Sequence, residues 1–110
     1  VDRYKTLTLS AQRRMETLSL RSVIIRQADG SNGMQGEGTF DRILVTAAFN
    51  SMPRFYADQL VSGGSMIAPL MISENECRMV RLTKTGSRFE REELFDAPYL
   101  PIVPRLASQL

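Results

Sequence analysis

Tyr4, Leu7, Ala11, Met15 and Leu18 recur at spacings of three and four, with Lys5, Gln12, Arg13 and Glu16 between them, which predicts one amphipathic helix beginning just after Asp2. From Ser22 to Gln27 the β-branched run Val23-Ile24-Ile25 stands before Asp29-Gly30 and predicts a short buried strand. Residues 30–38 hold four glycines among Ser31, Asn32 and Gln35, a composition that predicts a loop. Ile43-Leu44-Val45 is apolar without alternation, the pattern of a parallel strand covered on both faces, so its expected place is central. Pro53 opens a short helix whose buried side is Phe55, Tyr56 and Leu60, and Gly63-Gly64 reads as its C-cap and turn before a strand from Ser65 to Leu70.

From Glu76 the pattern changes to alternation, with Cys77, Met79, Val80 and Leu82 among Arg78, Arg81 and Lys84. Thr85-Gly86 forms a turn, and Phe89 to Leu94 returns as the second strand of a hairpin with Arg88, Glu90, Arg91, Glu92 and Glu93 on its solvated side. The tail carries Pro98, Pro101 and Pro104 and should be extended, with a short turn over residues 106–110. Helix, strand, strand, helix, strand and hairpin in that order indicate an α/β fold, an open and mostly parallel sheet with an antiparallel edge hairpin. Ligands in such sheets bind beyond the carboxyl ends of the strands, which draws attention to Asp2, Asp29-Gly30 and Thr46-Ala47-Ala48 as the lining of one crevice.

An apolar fraction of 43% and a charged fraction of 24% over 110 residues suit one ordinary globular domain. The net charge of +2 comes from fourteen basic and twelve acidic residues spread along the chain, so neither nucleic acid nor an anionic membrane is an expected partner. Cys77 is the single cysteine and histidine is absent, which excludes an internal disulfide, a zinc site of the usual donor set and a histidine-based triad within these residues. The apolar runs are far shorter than the roughly 20 residues of a membrane span. A reducing, cytoplasmic setting is expected, and an opening at Val1 is not expected to be the translational start.

Asp2 stands where a preceding strand would end and a helix begin, and its carboxylate suits either a helix N-cap or a ribose diol. Asp29 and Gly30 suit a plain turn or, with the close backbone approach that glycine permits, an exocyclic amine such as that of adenine. Small side chains at Thr46, Ala47 and Ala48 leave room for helix packing or for a ligand or peptide along the backbone. Cys77 lies in an alternating strand with no base to activate it and reads as packing. Gly63-Gly64 follows a helix and so is not a phosphate loop.

In their order and spacing these residues resemble the second half of the protein-L-isoaspartate O-methyltransferase family. The similar stretches are Ala28-Asp29-Gly30-Ser31, Phe40 to Ala48, Gln59 to Gly64 with Met66-Ile67-Ala68-Pro69, Phe89 to Leu94, and Tyr99-Leu100-Pro101-Ile102. Pro98 stands where the family commonly has an arginine, and Ser51-Met52-Pro53 replaces an acidic-apolar-proline turn. The resemblance implies a Rossmann-like class I methyltransferase fold that uses S-adenosylmethionine and methylates the free carboxylate of isoaspartyl residues in damaged proteins. It also implies that Asp2 holds the ribose, that Asp29 and Gly30 lie beside the adenine, and that Thr46, Ala47, Ala48, Tyr99 and Leu100 border the peptide cleft. No catalytic side chain is implied within these residues.

On this reading residues 1–110 are the carboxyl-terminal part of a single methyltransferase domain. The family's glycine-rich cofactor loop belongs to a segment before Val1, so these residues alone should be inactive. An uncovered sheet edge is then expected, open to the rest of a longer polypeptide or to a second copy. The alternatives are a non-catalytic peptide-binding module of the same fold and a methyltransferase with a different acceptor.

Overall fold

The computed structural model describes residues 1–108, which divide into two compact units: Val1–Ser31 with the tail from Val103, and Asn32–Ile102. The predicted terminal turn over 106–110 falls partly outside the described residues, and within them Arg105 and Ser108 are bends. Among the described residues no helix is long and apolar enough to cross a membrane.

In the first unit, α1 spans Lys5–Thr17 with Tyr4 at its N-cap position, so the helix starts later than predicted and Asp2 does not cap it. Its far end is closed by backbone alone. Ser19 adopts φ +57, its amide donates to Glu16 O, and the Leu20 amide donates to Met15 O, the paired bonds of a Schellman ending with serine where glycine is usual. The predicted apolar stripe is partly covered: Tyr4, Ala11 and Met15 are half-buried, Leu7 and Leu18 are exposed, and the buried residue of the helix is Thr8, whose hydroxyl donates to Lys5 O at 2.8 Å. The strand expected over residues 22–27 reduces to one parallel bridge, Asp2 with Gln27, and Ile24 is 76% exposed. A ladder needs a neighbour of equal length. Among the described residues Val1 to Arg3 run beside this segment, and beyond Asp2 with Gln27 no further bridge forms along Val23 to Ile25.

The second unit is a four-stranded sheet in the order β1 (Phe40–Leu44), β2 (Leu60–Ser73), β3 (Glu76–Thr85), β4 (Arg88–Asp96), with β1 parallel to β2 and the rest antiparallel. Within the described residues Ile43-Leu44-Val45 therefore lies at the edge of the sheet and not at the centre expected for it. Among the described strands β1 has one neighbour, and Leu44, on the face away from the core, is 70% exposed. A continuous apolar run reports that both faces are meant to be covered, but not which strands flank it. Glu74-Asn75 and Gly86-Ser87 are the two-residue loops that fix the register of the two hairpins. Gly86 adopts φ +63, a conformation open to glycine without steric cost.

Alternation along β2 and β3 turns Met66, Ala68, Leu70, Val80 and Leu82 to one face, where they meet Phe49, Tyr56 and Leu60. Tyr56 belongs to α2 (Arg54–Gln59), which starts after Pro53 and stacks its ring edge-on against Phe49 at 5.7 Å. Phe55, expected on the buried side, is 54% exposed, because a six-residue helix turns only one narrow stripe to the sheet. The Lys84 ammonium donates to Ala57 O and Leu60 O, so a cation from β3 terminates α2 and favours its dipole. Cys77 is buried on the other face of the sheet, outside this cluster. Along β4, Arg81 pairs with Glu92 across an open surface, where such a pair contributes about 0–1 kcal/mol.

Gly63-Gly64 is neither a C-cap nor a turn. Leu60 is already extended and begins β2, and both glycines lie inside that strand. Phe40 pairs with Leu60 and Arg42 with Ser65, so β2 carries extra residues between these pairs, a bulge accommodated by Gly63 at φ +83. Gly64 serves close approach instead, since a Cβ there would lie 2.9 Å from both Asp41 O and Val61 O. The two should respond differently to alanine: Gly63→Ala is expected to cost about 1 kcal/mol of backbone strain, and Gly64→Ala about 2–3 kcal/mol by displacing β1. Urea unfolding of both variants checks this order.

Candidate functional site

In the first unit two parallel segments place Asp2 beside Gln27 and Ala28. The Asp2 amide donates to Arg26 O, and the Ala28 amide donates to Asp2 O at 2.9 Å. The ladder ends there, with Asp29 and the short 3-10 turn Gly30–Asn32 immediately following. Both carboxylates therefore stand at the carboxyl end of paired strand segments. Asp2 Oδ1 accepts the Tyr4 amide at 2.9 Å, a local turn that orients the side chain ahead of α1, and the residue remains half-buried.

Asp29 is held more fully. Oδ1 accepts the Ser31 amide at 2.9 Å and Oδ2 the Arg105 amide at 2.6 Å. The Ser31 side chain, then the Arg105 and Ser31 amides and a smaller contribution from Arg3, hold its carboxyl below the usual carboxylate range against a slight opposing effect of burial. Arg105 adopts φ +70 to present that amide, while its carbonyl accepts from Arg3 Nε at 2.9 Å.

In the second unit, β1 runs level with β2 until the Val45 amide donates to Ile67 O at 2.9 Å. The next ladder bond would run from the amide of residue 69 back to Val45 O, and residue 69 is proline. Pairing therefore lapses. It resumes only where the Phe49 amide donates to Pro69 O and the Met71 amide to Phe49 O, so four residues of one strand span two of the other. Thr46, Ala47 and Ala48 lie in this lapse.

The released segment finds another partner in the tail. The Ala48 amide donates to Leu100 O and the Ile102 amide to Ala48 O, a parallel bridge between Ala48 and Pro101. The Tyr99 hydroxyl donates to Asn50 Oδ1 at 2.9 Å. Thr46, Ala47 and Ala48 are thus brought beside Tyr99 and Leu100, with Ala48 buried while Thr46, Tyr99 and Leu100 are exposed. Small side chains leave the backbone of 46–47 open, and Leu100 and Tyr99 supply apolar surface next to it.

Each unit gathers its own share of the expected residues, carboxylates in one and a small-residue segment with an apolar rim in the other. Sequence reasoning missed Asn50, Pro69 as the cause of the lapse, and Arg105. It also missed Gln59, whose Oε1 accepts the Met34 amide and whose Nε2 donates to Met34 O, tying the glycine-rich loop to the end of α2. A proline within an apolar run was the available signal for the lapse. The bonds of Gln59 and Arg105 join positions far apart in sequence and leave no local pattern.

Residues 1–107 match the family profile described as protein-L-isoaspartate(D-aspartate) O-methyltransferase. A protein-L-isoaspartate O-methyltransferase of Rhizobium meliloti is 64% identical over 110 residues, covering 100% of this chain and 54% of that protein. One of a Bradyrhizobium species is 40% identical over 110 residues, covering 100% of this chain and 51% of its own length. The chain spans about half the length of the curated relatives it matches. Among solved structures, a Plasmodium falciparum beta-aspartate methyltransferase in complex with S-adenosyl-L-homocysteine superposes with a TM-score of 0.78 at 21% identity, over 92% of this chain and 50% of that one. A further protein-L-isoaspartate O-methyltransferase structure gives 0.80 at 21% identity, over 93% of this chain and 32% of that one. These likenesses show the expected Rossmann-like methyltransferase fold, of which the four-stranded mixed sheet is a part.

Two outcomes are expected. Pro69→Ala restores a donor opposite Val45 O, so hydrogen exchange should show new protection at the amide of residue 69 and looser pairing of Ala48 with the tail, with stability changed by about 1 kcal/mol or less. For Asp29 the folded pKa lies below the unfolded one, so its contribution is present above the unfolded value and is lost as pH falls through the folded value. Asp29→Asn should therefore be less stable than the parent at neutral pH, and the gap should close under acid conditions. Denaturation midpoints across pH check the sign.

Proposed function

The chain belongs to the protein-L-isoaspartate(D-aspartate) O-methyltransferase family, and from that premise we propose that the protein containing it transfers the methyl group of S-adenosylmethionine to the free carboxylate of L-isoaspartyl residues in damaged proteins. The observation that carries this reading is the family match over residues 1–107. The placement of the candidate residues supports it. Carboxylates at strand ends accept hydrogen bonds only, which suits the hydroxyl pair of a ribose and the exocyclic amine of an adenine, both donors. An ionised carboxylate oxygen has room for more than one donor, so the amide bonds to Asp2 and Asp29 leave acceptor capacity. The acceptor set fits the nucleoside part of S-adenosylmethionine, which supplies an electrophilic methyl group.

In this reading Asp2 holds the ribose, and Asp29 with Gly30 borders the adenine. Thr46 to Ala48 with Tyr99 and Leu100 take the peptide: the small residues let its backbone lie close, and Tyr99 and Leu100 shield it from water. An isoaspartyl carboxylate is already ionised at neutral pH, so methyl transfer asks for in-line positioning and exclusion of water and not for a strong base. A sequence without histidine suits that chemistry. A cytoplasmic setting belongs to the same proposal and rests on the single free thiol, Cys77.

In the full-length protein, Asp2→Asn is expected to weaken S-adenosylhomocysteine binding by about tenfold or more through loss of charge-assisted bonds, with the KM for an isoaspartyl peptide little changed. Ala47→Leu should do the reverse, raising that KM while leaving cofactor affinity intact. Calorimetry with S-adenosylhomocysteine and rates on paired isoaspartyl and aspartyl peptides are the measurements. Full-length protein that binds the cofactor product yet methylates neither peptide would point to another acceptor, and protein that does not bind it at all would leave a peptide-binding module.

A further inference from the structure

We propose that Asn32-Gly33 is a site of spontaneous covalent modification, where succinimide formation converts Asn32 to isoaspartate and releases the glycine-rich loop from Gln59. The inference starts from the loop itself and does not depend on methyl transfer. Asparagine stands at positions 32, 50 and 75, followed by glycine, serine and glutamate respectively. Ring closure requires the backbone nitrogen of the next residue to reach the side-chain carbonyl carbon, and a following glycine has no Cβ to obstruct that approach.

The structure separates the three further. The Asn32 side chain is exposed and makes no hydrogen bond with any described residue. Asn50 Oδ1 accepts the Tyr99 hydroxyl. Asn75 sits in the two-residue turn between Ser73 and Glu76, which pair directly, so hairpin register restrains its backbone. Asp29-Gly30 has the same small neighbour, but its two carboxylate oxygens accept the Ser31 and Arg105 amides. An ionised carboxylate has no leaving group for ring closure, and the hydrogen bonds favour that ionised form.

The chemistry needs only water. The Gly33 nitrogen forms a bond to Asn32 Cγ, the Cγ–N bond of the side-chain amide breaks, and ammonia leaves carrying the proton lost from Gly33. Water then adds to one of the two ring carbonyls. Opening at the main-chain carbonyl leaves the chain running through the side-chain carbon as isoaspartate, and opening at the other leaves aspartate. Either product has gained about one dalton and a negative charge.

The consequence is read next door. Gly33 lies at φ +73 with Gln59 Oε1 in the space a Cβ would take, and the same side chain grips both the amide and the carbonyl of Met34. An isoaspartyl linkage adds one atom to the main-chain path just before this grip. The longer path shifts Gly33 and Met34 against the Gln59 side chain, and the release we infer is that of Met34 from its fork.

The test is ageing of the full-length protein in mildly alkaline buffer, followed by peptide mapping with fragmentation that distinguishes isoaspartate from aspartate. Conversion at Asn32 should outpace that at Asn50 and Asn75 by about tenfold or more, and hydrogen exchange at the Met34 amide should quicken by a similar factor in the converted fraction. An Asn32→Ser variant aged in parallel should keep its Met34 protection, which separates this event from general unfolding. Conversion at Asn50 or Asn75 as fast as at Asn32 would overturn the site. Isoaspartate at residue 32 with Met34 exchange unchanged would overturn the release.

Discussion

The missing amide of Pro69 is the constraint from which the rest of the second unit follows. β2, like β3, has hydrogen-bonded neighbours on both sides, and a proline there must forgo one bond. On the β3 side nothing is lost, because Pro69 sits opposite Met79 with its carbonyl turned toward the other neighbour. On the β1 side the ladder stops at Val45. Three residues are set free, and the first backbone group able to return to β2 is the Phe49 amide. The same bond that restores pairing plants the Phe49 ring in the core, edge-on to Tyr56. One absent donor thus decides where β1 ends, which residues stay off the sheet, and where the chain re-enters the core.

The glycine pair at the other end of β2 answers a complementary need. Between Leu60 and Ser65 the strand must absorb extra residues while staying close to Asp41, so one position needs positive φ and the next needs no side chain. β2 is therefore irregular at both of its contacts with β1 and keeps one register along β3 from Ser65 to Met71. The antiparallel half holds that register through seven pairs and carries most of the core face, while the parallel half carries the freed segment. Order comes from one side of the strand, and room for a ligand from the other.

What the sequence disclosed follows the range of each interaction. Alternation in β3 and the Thr85-Gly86 turn are local, and the hairpin was legible from them. The three-and-four spacing of α1 disclosed a helix, but not how much of its stripe would be covered, because burial depends on partners elsewhere. Val23 to Ile25 show the same limit, since β-branched residues favour an extended chain yet make a strand only when a ladder is available. Gly63-Gly64 misled because a glycine pair after a helix has two physical uses, ending the helix or admitting a neighbouring backbone. The position of Asp41 O decides between them. Within the candidate site, residue types were legible and their holders were not: Asn50 under Tyr99 and Arg105 on Asp29 act across the chain.

The two carboxylates of the first unit illustrate how hydrogen bonding divides labour between like groups. Asp29 takes an amide on each oxygen, one from its own turn and one from the distant tail, and these bonds keep it ionised while fixing both oxygens in place. Its first task is structural: it ties the turn after the paired segment to Arg105, and whatever it offers a ligand comes from lone pairs already oriented by the fold. Asp2 accepts its one amide from the residue that leads into α1, so its direction is set at smaller cost to its acceptor capacity. A ribose diol presents two donors at once and rewards a carboxylate with both a fixed axis and spare lone pairs. An adenine amine needs one acceptor in a rigid place. In the function proposed above, it is this pattern of prior hydrogen bonds, more than the shared residue type, that suits Asp2 to the first and Asp29 to the second.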